Sequence, residues 1–296
     1  MHGILNLNKP EGPTSFQAVS QVRRCSGVRR VGHGGTLDPL ARGVLPVLLG
    51  QATRLSEFMT QFSKVYRAEV MLGIATDTYD AAGRVTFQGD PSSLSSGQLE
   101  ETLAAFRGSF FQLPPPFSAV KVRGRRLYSW ARSGEAVELP VRQVQVFRLE
   151  LVGWEPSCIT LEVECGKGTY IRSLAQDLGE RLGCGAHLHS LERTRVGPFR
   201  IEEALSLSQV EGAFEEGSWP DILRPMEEAV ESLEKVVVEG EAERRARLGQ
   251  ALLLPPSVQP SKWRRAHSQD GRFLALLRFQ PDTGLWHPEK VFLPWN

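Results

Sequence analysis

Residues 171–183, "IRSLAQDLGERLG", place the tightest constraint on the architecture. Ile171, Leu174, Ala175, Leu178 and Leu182 recur at i, i+3, i+4, i+7 and i+11, one helical stripe with Gly183 placed as its stop. At about 100° per residue, Tyr170 and Arg172 fall off that stripe on its two flanks, within the first turn. They are free to face a cleft; the plainer readings are a surface arginine and a tyrosine packed at the helix start.

Around this helix the chain reads as mixed α and β without internal repeats. "GILNLNKPEGPTSFQAVSQVRR" gives a strand, a Pro/Gly turn and a helix, with Thr14 and Gln17 as a capping box and Phe16, Val19 and Val22 on one face. "GVLPVLLG" predicts a buried strand and "QATRLSEFMTQF" a helix beside it. "YRAEVMLG" and "GRVTF" predict paired strands around the turn "TDTYDAAG", residues 88–98 a surface loop, and "GQLEETLAAFRG" another helix. The tail from 235 to 296 reads as a short helix among strands, a small β-rich unit after an acidic run.

No apolar run approaches the roughly 20 residues of a membrane span, and Met1 to Pro10 lacks the pattern of a signal peptide, so a soluble, intracellular protein is expected. The four cysteines form no C-x-x-C pair and the six histidines no H-E-x-x-H, which argues against a disulfide framework and a catalytic metal. His187 and His189 stand two apart without a third ligand nearby, and read as loop or surface histidines.

The formal net charge of +1 hides an asymmetry. Residues 1–60 carry seven basic against three acidic side chains and residues 117–148 seven against two, whereas residues 201–243 carry two against thirteen. A polyanion facing part of the surface is the reading this favours over merely solvated faces. Basic residues interleaved with Phe117, Tyr128 and Trp130 also suit a surface that tracks a nucleic-acid backbone, although an amphipathic hairpin has the same composition.

Asp38, in "GHGGTLDPLARGVLPVLLG", is the carboxylate that calls for chemistry. Glycosidases flank a bond with two carboxylates, and nothing local pairs with Asp38. The glycines precede no G-K-[ST], so a P-loop is excluded. What remains is a lone nucleophile or proton-transfer group on a loop that a bulky substrate can approach, or a turn residue before Pro39.

"NKPEGPTSF", "GHGGTLDPLARGVLPVLLGQATR", "KVYRAEVMLGIATDTYDAAG", "QLPPPFSAVKVRGRRLYSWARSGE" and "CGKGTYIRSLAQDLGERLGCGAHLHSLERTRVGPF" resemble, in order and spacing, the motifs of the TruB family of tRNA pseudouridine synthases. The resemblance is strong from residue 3 to about 230 and weaker in the tail. It implies an α+β fold: a large, mostly antiparallel mixed sheet with flanking helices over 1–230, and a small β-rich, PUA-like RNA-binding domain over 235–296. It further implies a cytoplasmic, monomeric enzyme that needs no cofactor and turns uridine 55 of the tRNA T-loop into pseudouridine.

By the same resemblance Asp38 is the essential carboxylate, with attack at C1′, addition at C6 and removal of the 2′ proton left open by the sequence. Arg172 matches the arginine that pairs with it; a guanidinium can hold a carboxylate bidentately and aim it. Tyr66 matches the tyrosine that stacks on the flipped base and is placed to take the C5 proton. Tyr170 and Leu191 match residues lining the uracil pocket, and His33 one that contacts the T-loop. Lys64, Lys167, Lys121, Arg123, Arg125 and Arg126 are the candidate phosphate contacts, and 117–148 corresponds to a segment that closes over the RNA. Phe117 departs from the family, which more often has tyrosine there. A tRNA-folding chaperone without chemistry and a synthase acting on ribosomal RNA are the competing readings; Asp38 with Arg172 and Tyr66 speaks against the first.

Overall fold

The structure is a computed structural model and describes residues 1–118, 120–122, 124–133, 137–255 and 261–292. In chain order its strands are β1 (Gly3–Lys9), β2 (Val31–His33), β3 (Ala41–Leu49), β4 (Lys64–Leu72), β5 (Ile74–Thr76), β6 (Val85–Gln88), β7 (Gly108–Gln112), β8 (Lys121–Val122), β9 (Arg125–Arg126), β10 (Arg142–Glu155), β11 (Cys158–Cys165), β12 (Ala186–Val196), β13 (Phe199–Arg200), β14 (Leu223–Arg224), β15 (Glu234–Val237), β16 (Trp263–His267), β17 (Phe273–Gln280) and β18 (Leu285–Val291). The helices are α1 (Ser15–Ser26), α2 (Ser56–Met59), α3 (Ser96–Ala104), α4 (Leu127–Ser133), α5 (Ile171–Leu182), α6 (Leu207–Glu215), α7 (Trp219–Ile222) and α8 (Gly240–Arg247).

One large sheet runs β14-β1-β3-β12-β4-β11-β10-β7, with β2 added to β3 and β13 to β12. Every pairing in it is antiparallel except β3 with β12, so the α+β expectation holds. That parallel pair joins segments far apart in sequence at the middle of the sheet, where register puts Leu191 between Ala41 and Ala68, and Arg193 between Gly43 and Tyr66. Gly43 is required there: its φ is 105°, and a Cβ would lie 2.3 Å from the Arg193 carbonyl oxygen.

α5 forms as the stripe demands, with Leu174, Ala175 and Leu178 fully buried and Gly183 closing it in the left-handed conformation at φ 75°. α1 carries the expected capping box of Thr14 and Gln17, but its buried face is Ser15, Ala18, Val19 and Val22. Phe16 is 70% exposed, against the sequence reading. The segment 51–62 is a 3₁₀ turn leading into the four-residue α2, shorter than the helix expected.

The pairing expected of "YRAEVMLG" with "GRVTF" is replaced by a smaller one. β4 belongs to the large sheet, and it is β5 that pairs with β6. His187 and His189 lie in β12 rather than a loop: His187 is buried with Nδ1 2.8 Å from the Ile74 carbonyl, and His189 is the extra, exposed residue of a bulge.

The C-terminal residues build a second sheet, β15-β16-β17-β18, with β15 parallel to β16. It docks through a shared core in which Ile4, Val44, Leu48 and Phe199 meet Leu276 and Phe292. Phe58 packs edge-on to Trp263 with ring centroids 5.2 Å apart. Among the described residues, no helix is long and apolar enough to cross a membrane.

Candidate active site

The turn carrying Asp38 joins β2 to β3 and is held from several sides. Ser15 Oγ, at the start of α1, donates to the Leu37 carbonyl (2.9 Å) and accepts from the Leu37 N–H (2.8 Å). The Gly12 N–H donates to the Pro39 carbonyl at 2.8 Å, and the Gly34 N–H to the Pro46 carbonyl at 2.9 Å. The backbone is therefore bound on both sides of Asp38, while its side chain remains 34% exposed. A reactive group on a pinned loop loses little freedom when substrate arrives.

The Asp38 carboxylate meets Arg172, whose Nε lies 2.9 Å from Oδ2. The contact is a single ion pair, not the bidentate fork that the sequence suggested, because the rest of the guanidinium is committed elsewhere. Nη2 donates to the Phe117 carbonyl (3.2 Å), and Nη1 to the Thr78 carbonyl and to Asp80 Oδ2 (3.4 Å each). Arg172 is thus buried, not a surface arginine, and it connects the Asp38 turn to the "TDTYDAAG" turn. Tyr79, at φ 64° the one described non-glycine residue with a left-handed backbone, lies between Thr78 and Asp80 and lets both face the same guanidinium.

Asp38 and Arg172 open onto a cavity of about 290 Å³, near the lower end of small-molecule sites. Tyr66, Leu191 and Arg193 line it from β4 and β12, and Lys64, Lys167, Ser118 and Tyr170 also line it. His33 does not line the cavity; its Nδ1 accepts from the Gly35 N–H at 3.3 Å, and burial followed by the charge of Arg193 lowers its pKa. Tyr170 is the N-cap of α5, clamped by the side chain of Gln112: Gln112 Nε2 donates to the Tyr170 carbonyl (3.1 Å) and Oε1 accepts from its N–H (2.9 Å).

Burial raises the pKa of Tyr66, and the Arg193 charge is the largest influence opposing it. Burial likewise raises Cys165 to about 11, so this thiol beside the cavity stays protonated. Lys9 and Lys64 are both brought down to about 8, chiefly by burial.

The candidate phosphate contacts separate. Lys167 is exposed on the loop before α5, at the cavity wall. Lys64 is buried, its Nζ donating to the Thr60 and Phe62 carbonyls at 2.7 and 2.6 Å, an arrangement directed at its own chain. Arg125 lies over the Trp130 ring at 4.6 Å. Lys121 and Arg126 stand in the β8–β9 hairpin, where the backbone is described, and Arg123 lies outside the described residues.

Three residues of the site escaped the sequence reading: Asp80, Arg193 and Gln112. An acid in a Gly-rich turn, an arginine in an alternating strand and a glutamine near a strand end have ordinary local explanations. Only their long-range partners give them away. Among the described residues, no group of three or more metal-ligating side chains occurs.

Residues 23–171 match the TruB family pseudouridylate synthase (N terminal domain), and residues 172–231 the tRNA pseudouridylate synthase B C-terminal domain. The chain is 44% identical over 293 residues to tRNA pseudouridine synthase B of Dehalococcoides mccartyi strain 195, covering 99% of this chain and 97% of that protein. It is 41% identical to tRNA pseudouridine synthase B of Streptococcus pneumoniae strain D39 over 298 residues, covering 99% of this chain and all of the other. Among solved structures it is similar to a chain of an H/ACA RNP bound to a substrate RNA containing 2′-deoxyuridine, with a TM-score of 0.76 and 27% identity over 99% of this chain and 85% of that one.

Proposed function

Because the chain belongs to the TruB family of tRNA pseudouridine synthases, we propose that it isomerises uridine 55 in the T-loop of tRNA, with Asp38 as its essential carboxylate. The observation that carries this reading is the pairing of a half-open carboxylate on a pinned turn with a buried arginine from α5, facing a cavity lined by Tyr66. The N1–C1′ bond of uridine breaks, the base turns in the site, and C5 joins C1′. A hydrogen leaves C5 and one arrives at N1, so the change is an isomerisation without oxidant or water added.

The residues divide the work. Asp38 acts at the sugar–base junction and Arg172 aims it. Tyr66 stacks on the extruded base and takes the C5 proton, while Tyr170 and Leu191 confine the ring. An aromatic platform compensates for unstacking, which costs a few kcal/mol. His33, Lys167 and the segment 117–148 hold the T-arm by its folded shape and backbone, as is usual for structured RNA. The C-terminal region, residues 235–296, which carries the second sheet, serves as a PUA-like module that binds RNA beyond the loop.

Tritium release from a tRNA transcript labelled at uridine C5 tests the reading. Release by the native protein on an intact T-loop is expected, and background release when position 55 is cytidine. Background on both transcripts, with tRNA still bound, would replace the enzyme reading by that of an RNA-folding chaperone.

A further inference from the structure

Among the described residues, the largest fully buried side chain is a charged one, Arg193. Its Nε donates to the Val44 carbonyl (2.7 Å), Nη1 to the Thr36 carbonyl (3.2 Å) and Nη2 to the Gly35 carbonyl (3.1 Å). Gly35 and Thr36 precede Asp38 and Val44 follows it, so one guanidinium grips the loop on both sides of the catalytic candidate. On β12 the same residue is in register with Tyr66 of β4, and its charge acts on the Tyr66 phenol. Arg193 thus lines the cavity together with Asp38, whose loop it holds, and Tyr66, its register partner.

We propose that Arg193 is a positioning residue for the final proton transfer, holding the Asp38 loop by its carbonyls while presenting its charge to the Tyr66 phenol. The proposal rests on the functional reading above. The step it serves follows the joining of C5 to C1′. The C5–H electron pair forms the C5–C6 double bond, and the proton passes to the Tyr66 phenolate. The N1–C6 pair returns to N1, which takes up a proton from water.

Arginine suits the position better than lysine for two reasons. Its planar fork satisfies three carbonyls at once, and it keeps its charge when buried. The neighbouring bases hold theirs less firmly: burial lowers Lys9 and Lys64 to about 8, and it lowers His33 as well. Of the groups that face the phenol, Cys165 on β11 and Asp38 on its loop both disfavour a phenolate, and Arg193 on β12 is the one that favours it.

The test uses single-turnover rates on tRNA transcripts carrying hydrogen or deuterium at uridine C5, for the native protein and Arg193→Lys. Removing support from an acid–base step costs on the order of 10²-fold or more, so Arg193→Lys is expected to slow turnover by about that factor. Affinity for tRNA should stay within about tenfold. The slowing caused by deuterium should be larger in the variant than in the native protein, because C5 deprotonation becomes limiting.

A rate equal to native, or a loss without any increase in the deuterium effect, would overturn the proposal. If Arg193→Lys does not fold, Arg193→Gln decides, because it removes the charge while keeping a donor for the loop carbonyls: its deuterium effect should exceed that of the native protein, and an unchanged effect counts against the proposal. Native protein that makes no pseudouridine at position 55 would instead defeat the functional reading, whatever Arg193 does.

Discussion

Two carboxylates sit on one guanidinium, and they are built differently. Asp80 has a side chain 7% exposed, its Oδ2 is 3.4 Å from Arg172 Nη1, and its Oδ1 accepts from Thr78 Oγ1 (2.6 Å) and from the Ala82 N–H (3.1 Å). Asp38 is 34% exposed, takes Arg172 Nε at 2.9 Å on Oδ2, and lines the cavity. A carboxylate whose lone pairs are occupied is an anchor; one with lone pairs to spare can act on a substrate. The same residue type therefore serves as anchor on one side of Arg172 and as reagent on the other, and the arginine transmits position between them.

The sharpest way to break this comparison is Asp38→Asn. It keeps volume and removes the charge, so turnover should fall by about 10⁴-fold or more, as when an essential reacting group is lost. Binding should change less than about tenfold, roughly 1.4 kcal/mol, since Asp38 is one small part of a large RNA interface. Rapid-quench turnover and filter binding separate the two. Equal losses in a folded variant would make Asp38 a structural turn residue and erase its difference from Asp80.

Asp80→Asn should reverse the balance. Asparagine can still accept from Thr78 and Ala82, but Arg172 loses its buried counter-charge, so a destabilisation of about 1–3 kcal/mol is expected in denaturant unfolding. Turnover should fall by far less than for Asp38→Asn, through a shifted guanidinium rather than a missing reagent. A loss as large as that of Asp38→Asn, at unchanged stability, would show that the two carboxylates share the chemistry.

How much of this was legible in the sequence follows from the range of each interaction. α5 and the α1 cap are local: a 3.6-residue stripe ending in Gly183 and a Thr14–Gln17 box have few other solutions. Phe16 misled because an apolar residue in the first turn fits the helical period, yet the sheet under α1 receives Ala18, Val19 and Val22 instead. The parallel β3–β12 pairing, and with it the meeting of Arg193, Tyr66 and the Asp38 loop, depends on contacts across most of the catalytic region, which periodicity does not encode. Asp38 and Arg172 stood out from the residues alone and took their roles from the resemblance to a family, Tyr66 and Leu191 were reached through that resemblance, and Asp80 required the fold.

A third carboxylate gives the smallest and most selective test. Asp177 lies on α5 with Arg172; burial, then the charge of Glu180, raises its pKa to about 6. In the unfolded chain it returns to an ordinary value near 3.8. Between those two values the folded state binds the extra proton, so this group's contribution to stability is full below pH about 4 and is lost as pH rises through about 6. Asp177→Asn removes the titration, and the melting temperature of the variant, followed from pH 4 to 7, should decline less with rising pH than that of the native protein. Parallel curves would mean that Asp177 is solvated like a surface acid, and that its place on α5 beside the buried Arg172 does not set its protonation.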